Sequence, residues 1–142
     1  MSHYFHIEPE VAGARGEQTI ADRSAHPPVI SRLHYDFAGW LGDQLLTTFS
    51  SFIATEELFT ILEGQKFTGF EKRAVIVTTN EQFRNLYPDR VLPQFHWLYI
   101  TGRPGVNDLG LANDCDLIVS EAALKAIKPL CPHDLEVSEY PA

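Results

Sequence analysis

The chain has 142 residues, of which 44% are hydrophobic and 21% charged, the composition of one soluble globular domain (1–142) able to bury a core. Its formal net charge is −8. Lys and Arg form no basic stripe, so direct nucleic-acid binding is not expected; no apolar run reaches the roughly 18 residues of a membrane span.

The N-terminus "MSHYFHIEPEV" has no basic region followed by an apolar core, so it does not read as a secretory signal. In "YFHIEPEV" Phe5 and Ile7 alternate with Tyr4 and His6, which predicts a short strand ending near Pro9. Residues 12–28 are poor in apolar side chains and contain Gly13, Gly16, Pro27 and Pro28, and read as a long loop. "VISRLHYDF" alternates again: Val29, Ser31, Leu33, Tyr35 and Phe37 share one face, and Arg32, His34 and Asp36 the other, as in a half-buried strand. "AGWLGDQLLTTF" reads as a turn with one short helical turn.

Phe52–Ala54 predicts a strand and Thr55 a helix N-cap. Leu58, Ile61 and Leu62 follow at helical spacing, and Gly64 supplies the stop. The run from Ala74 to Thr79 reads as a strand covered on both faces. Thr78 and Thr79 are capping-box candidates for a helix carrying Phe83, Leu86 and Tyr87, which Pro88 ends. Phe95–Thr101 is an aromatic strand, and "GRPGVNDLGLANDCD" an acidic loop punctuated by glycine. Leu117–Val119 is a strand, Ser120 caps a helix ended by Pro129, and "LEVSEY" closes the chain as a strand.

"SFIATEEL" and "DLIVSEAAL" therefore write strand, Ser or Thr, Glu and helix twice. A Ser or Thr at this place accepts an orphan N–H of the first helical turn, while the glutamates after it suit the positive end of the helix dipole. A nucleophilic serine on such a turn wants glycine neighbours, as in G-x-S-x-G, and neither stretch has them. Thr55 and Ser120 are thus geometric. The expected fold is α/β or α+β, a mixed β-sheet with about three helices built from two similar strand-helix-strand units, "FIAT…AVIV" and "LIVS…LEVS".

Chemistry is sparse in this pattern. His3-x-x-His6 is the one close histidine pair, and residues three apart on a strand face opposite ways. Neither H-E-x-x-H, a calcium loop nor a P-loop is present, so no metal or other cofactor is expected. Cys115 and Cys131 fit no C-x-x-C pattern and read as reduced thiols of a cytoplasmic protein. The charge is uneven: Met1 to Glu71 carries four cations (Arg15, Arg23, Arg32 and Lys66) against ten acids. Such acidity attracts basic partners. Asp108, Asp114 and Asp116 in the acidic loop, with Asp36, are the candidate partner contacts. Trp97, between Phe95 and Tyr99 on one strand face, is core or, if exposed, an interface anchor.

The strings "YFHIEPEVAG", "GWLGDQLL…FIATEEL…LEGQKFTGFE…VIVTTNEQF", "LYPDRVLPQFHWLYITG" and "DLIVSEAALKAIK" resemble small bacterial immunity-type proteins found beside polymorphic toxins, the double-CxxCG-motif group and its relatives. The resemblance spans nearly the whole chain and rests most on the strand-[ST]-E-x-x-L unit followed by "TG" and a strand. This chain has no CxxCG, so no zinc is carried over. The resemblance implies a cytoplasmic immunity protein, monomer or homodimer, without catalytic residues. Its partner would be a cognate toxin domain, a basic nuclease, blocked at its active or substrate-binding surface. The rival expectation is an enzyme or small-molecule-binding protein with a site assembled from His34, Asp36, His96 and Asp108. A third is a subunit of a larger assembly.

Overall fold

A computed structural model describes residues 3–22, 24, 29–48, 50–112 and 116–141. In chain order these form β1 (Tyr4–Glu8), β2 (Gly13–Arg15), β3 (Ile20–Asp22), β4 (Val29–Arg32), β5 (His34–Phe37), β6 (Leu45–Thr48), β7 (Ser51–Thr55) and α1 (Glu56–Gly64). β8 (Phe70–Arg73), β9 (Ile76–Thr79), α2 (Glu81–Leu86), β10 (Phe95–Ile100), β11 (Leu109–Ala112), β12 (Asp116–Ser120), α3 (Glu121–Ile127) and β13 (Glu136–Tyr140) follow. The result is an α+β body of few helices and four sheets among the described residues, one of them mixed and the others antiparallel. No helix among the described residues is long and apolar enough to cross a membrane.

Two sheets of four strands make the frame, in the orders β6-β7-β10-β8 and β11-β12-β1-β13. All neighbours in both are antiparallel. Hence β7 and β8, joined through α1, run parallel with β10 between them, and β12 and β13, joined through α3, run parallel with β1 between them. Between the two sheets lies one core, where Leu58, Phe59 and Leu62 of α1 meet Ala123, Leu124 and Ile127 of α3 over Phe52, Ala54, Leu117 and Val119.

The first sheet is covered on both sides. Successive strand residues point to opposite faces, so Ile53, between Phe52 and Ala54, enters a second core with Tyr35, Phe37, Trp40, Phe83, Phe95 and Trp97. That core is closed by α2 and by the three-stranded sheet β2-β5-β9, in which β5 pairs antiparallel with β2 and parallel with β9. β7 is accordingly buried at every position.

Several expectations are corrected. Within 12–28 the described residues hold two strands rather than one loop: β2 pairs with β5, and β3 forms a two-stranded ribbon with β4. The stretch from Val29 to Phe37 is two strands, because the chain leaves one sheet for another at Leu33. Leu45–Thr48, read as part of a turn, is β6, and part of the acidic loop is β11. The Ala74–Thr79 run is not covered on both faces; β9 is half-buried and has one partner strand. It is therefore not the closing strand of a first strand-helix-strand unit, and the doubling does not occur in that form. The strand that follows α1 into its sheet is β8, whose "FEKR" hides the signal in charged residues at a sheet edge. Finally, α1 runs through Gly64, and it is Lys66 that takes the left-handed backbone (φ 60°) after the helix.

Candidate functional site

Thr55 and Ser120 are caps. Thr55 Oγ1 accepts Leu58 N–H at 3.1 Å and Ser120 Oγ accepts Ala123 N–H at 3.2 Å. Each hydroxyl also donates, Thr55 to Gln44 Oε1 at 2.5 Å and Ser120 to Asp108 Oδ1 at 2.9 Å. Gln44 and Asp108 stand just before β6 and β11, and their carbonyls accept the N–H of Thr55 and Ser120. α2 is capped by Asn80, which accepts Phe83 N–H, and not by Thr78 or Thr79.

These contacts correct the reading of Asp108 as a free acidic contact. Its second oxygen accepts Thr68 N–H at 3.0 Å and the Thr68 hydroxyl at 3.2 Å, so the carboxylate links Ser120 in the second sheet to Thr68 at the entry to the first. Asp43, fully buried, does the same at the other junction, accepting the N–H groups of His133 at 2.9 Å and Asp134 at 2.8 Å.

Asp36 is also occupied. It accepts the Thr78 hydroxyl at 2.7 Å, and Thr78 Oγ1 lies 2.7 Å from His34 Nε2. His34 Nδ1 accepts Gln18 N–H at 3.2 Å. A ring whose Nδ1 accepts carries its proton on Nε2, so the chain runs Gln18 N–H to His34 to Thr78 to Asp36. The His34 ring is buried, and Gly16 lies flush on it: a Cβ there would come within 2.0 Å of Nδ1. The arrangement pins the β2–β3 turn to β5 and β9. His96 is elsewhere, facing the Glu56 carboxylate beside Lys72. Desolvation raises the Glu56 carboxyl, but the His96 hydrogen bond and the Lys72 charge outweigh it and hold the group below its usual range. His34 and Asp36 thus meet through Thr78, whereas His96 and Asp108 have partners of their own in other parts of the fold.

Trp97 is corrected as an interface anchor: only 4% exposed, it belongs to the second core and meets Tyr99 edge-on. Asp114 lies outside the described residues, as does Cys115. Cys131 is a buried thiol, pushed up to about 11 first by burial.

Asp116, by contrast, stands on an open surface, the face of the second sheet turned away from the core. His6 and Glu8 of β1 share this face with Asp116 of β12 and Glu136 and Ser138 of β13. His6 Nε2 lies 3.6 Å from Asp116 Oδ1 and 3.8 Å from Glu8 Oε1. The side chains of Glu8 and Asp116 are 59% and 40% exposed. Glu8 and Glu136 are direct cross-strand partners. The hydrogen bond that protonated Glu136 donates to the Glu8 carboxylate, and then the Glu8 charge, push the Glu136 carboxyl above its usual range. Two shallow cavities share His6 and Glu8: one of about 420 Å³ that reaches Glu136, Val137 and Ser138, and one of about 220 Å³ that reaches Asp116 and Val11. Towards β11 the face is closed, because the backbone at Arg103 and Pro104 lies against Gly110. No group of three or more His, Cys, Asp or Glu among the described residues is placed to hold a metal.

Sequence reasoning missed His6, Glu8 and Glu136 as a group. The alternation of β1 does put His6 and Glu8 on one side, but the pairing of β1 with the far ends of the chain, β12 and β13, is a tertiary fact without a local signature. No family model matches the chain, and no curated protein matches it.

Proposed function

We propose that the protein is an immunity-type inhibitor, which binds a cognate basic toxin domain of the nuclease class and blocks its active or substrate-binding surface, in the cytoplasm. One observation carries the reading: Glu8, Asp116 and Glu136 lie together on an open sheet face on which no Lys or Arg occurs among the described strand residues. Nuclease toxins are basic where they grip phosphate, and a rigid sheet that presents carboxylates offers them the same sign of charge. The net charge of −8 adds long-range attraction, which speeds encounter with such a partner and repels nucleic acid itself. The reading also takes the two four-stranded sheets as variants of one strand-helix-strand unit, each completed by a strand from elsewhere in the chain. Their common strand order supports this.

Co-expression is the test. Cells carrying the toxin gene that neighbours this one should survive only when this protein is made. Survival without it, or death with it, removes the function. Association with the purified toxin domain should slow as salt rises from about 0.05 to 0.5 M, since the Debye length shrinks from over about 10 Å to a few ångströms. A rate indifferent to salt removes the electrostatic mechanism alone.

A further inference from the structure

The two four-stranded sheets match in register as well as in order. Trp97 of β10 faces Ile53 on one side and Arg73 on the other. His6 of β1 faces Ile118 and Ser138, which stand the same number of positions along the chain after Ile53 and Arg73. By the same pairing Tyr99 corresponds to Glu8 and Glu71 to Glu136.

On the first sheet this face is finished by the chain itself. Glu71 has Arg73 at 3.6 Å, and the Arg73 guanidinium stacks on Tyr99 at 3.6 Å from the ring centre. On the second sheet Ser138 takes the place of that arginine. Glu136 then faces Glu8 across the strands, and like charges directly opposite one another in a sheet repel.

We propose that the open face of the second sheet is a docking surface for a basic protein, and that an Arg or Lys side chain of that partner settles among Glu8, Glu136 and Asp116, beside His6, on a face whose described strand residues include no Lys or Arg. The inference rests on the reading of the protein as an inhibitor of a basic toxin and names the surface it uses. Charge complementarity selects the occupant. A guanidinium placed there relieves the Glu8–Glu136 repulsion and gains charge-assisted hydrogen bonds. A second copy would set the same carboxylates against each other, and nucleic acid would be repelled.

The test uses the full chain and hexa-arginine peptide as the probe, followed by backbone amide NMR in low salt. Shifts confined to 4–8, 116–120 and 134–140 are expected. Ser138→Arg, which restores the cation found on the first sheet, should weaken peptide binding at least tenfold while the rest of the spectrum keeps its dispersion. Shifts centred elsewhere, or unchanged peptide affinity in Ser138→Arg, overturn the proposal. So does a dimer in sedimentation that Ser138→Arg dissolves, since the face would then be covered by a second copy. In the co-expression assay, wild type that protects beside a Ser138→Arg variant that protects equally sinks this surface and leaves the inhibitor reading standing. Wild type that fails to protect sinks the inhibitor reading, and the peptide titration still decides the face.

Discussion

The two four-stranded sheets put the same pattern of strand pairing to different ends. On the outer face of the first, the central strand carries Trp97 and Tyr99, and a further sheet with α2 closes over Trp97. On the second, the corresponding residues of β1 are His6 and Glu8, and much of the face stays open. Side-chain choice decides which face takes a cover. An aromatic pair buries enough apolar area to hold a further layer, whereas three carboxylates could enter a core only at a large desolvation cost. The difference also separates stability from the proposed recognition: the covered face carries the former, and the open face is the one proposed for the latter.

Substitutions at corresponding positions should therefore behave differently, and the largest difference is expected at the centre. Trp97→Ala should lower unfolding free energy by about 3–5 kcal/mol, the usual cost of emptying a large aromatic site. His6→Ala should change it by about 0.5–1 kcal/mol, as for partly exposed positions generally. Urea denaturation of both variants measures the contrast. Equal losses would mean that the second face is structural as well.

That contrast also shows what was legible in the sequence. Strands such as β1, β10 and β13 and the caps Thr55 and Ser120 follow from local alternation and from side-chain oxygens placed before helices. β8 was not legible, because an edge strand reading "FEKR" has one covered face and charge on the rest. Asp108 looked like a free acid because nothing local tells that its partners are Thr68 and Ser120, 40 and 12 residues away. The acidic face was illegible for the same reason: Glu8, Asp116 and Glu136 come from three separate strands, brought together only by sheet order.

The sheet junctions give a second, smaller contrast. Asp43→Ala leaves two half-buried N–H groups without their acceptor and should cost about 2–4 kcal/mol, since hydrogen bonds to charged groups contribute about 1.5–3 kcal/mol each and the losses are not additive. Asp108→Ala, at a half-buried site, should cost about 1–2 kcal/mol. Neither should alter association with the proposed toxin partner once the protein is folded. An Asp108→Ala variant of full stability with slowed association would return Asp108 to the contact surface.

The caps should match each other more closely. Thr55→Ala and Ser120→Ala each remove an acceptor for a first-turn N–H and should cost about 1 kcal/mol. Thr55 lies in the doubly covered strand and should be the more sensitive, because Gln44 Oε1 loses its donor there with less access to water. Thermal unfolding of the two variants side by side measures this. A folded but non-protecting Ser120→Ala variant would contradict its purely geometric role.

The smallest effect concerns protons on the open face. The Glu136 carboxyl is raised by the hydrogen bond and charge of Glu8, so its proton is held more tightly in the folded protein than in the unfolded chain. A group raised in this way adds stability at acid pH and loses that contribution as pH rises through its folded value. Once Glu136 has lost its proton the cross-strand pair is repulsive, which the surrounding water weakens without abolishing. Glu8→Ala should return Glu136 towards the ordinary carboxylate range, and the acid-side stability increment should shrink with it. Titration of the glutamate side-chain carboxyls by carbon NMR follows Glu136 in wild type and in Glu8→Ala. In wild type Glu136 should titrate above the ordinary carboxylate range, and in Glu8→Ala it should fall back towards it. An elevation that survives the substitution would mean that Glu8 is not the cause, and the repulsion that a partner's cation is proposed to relieve would be absent.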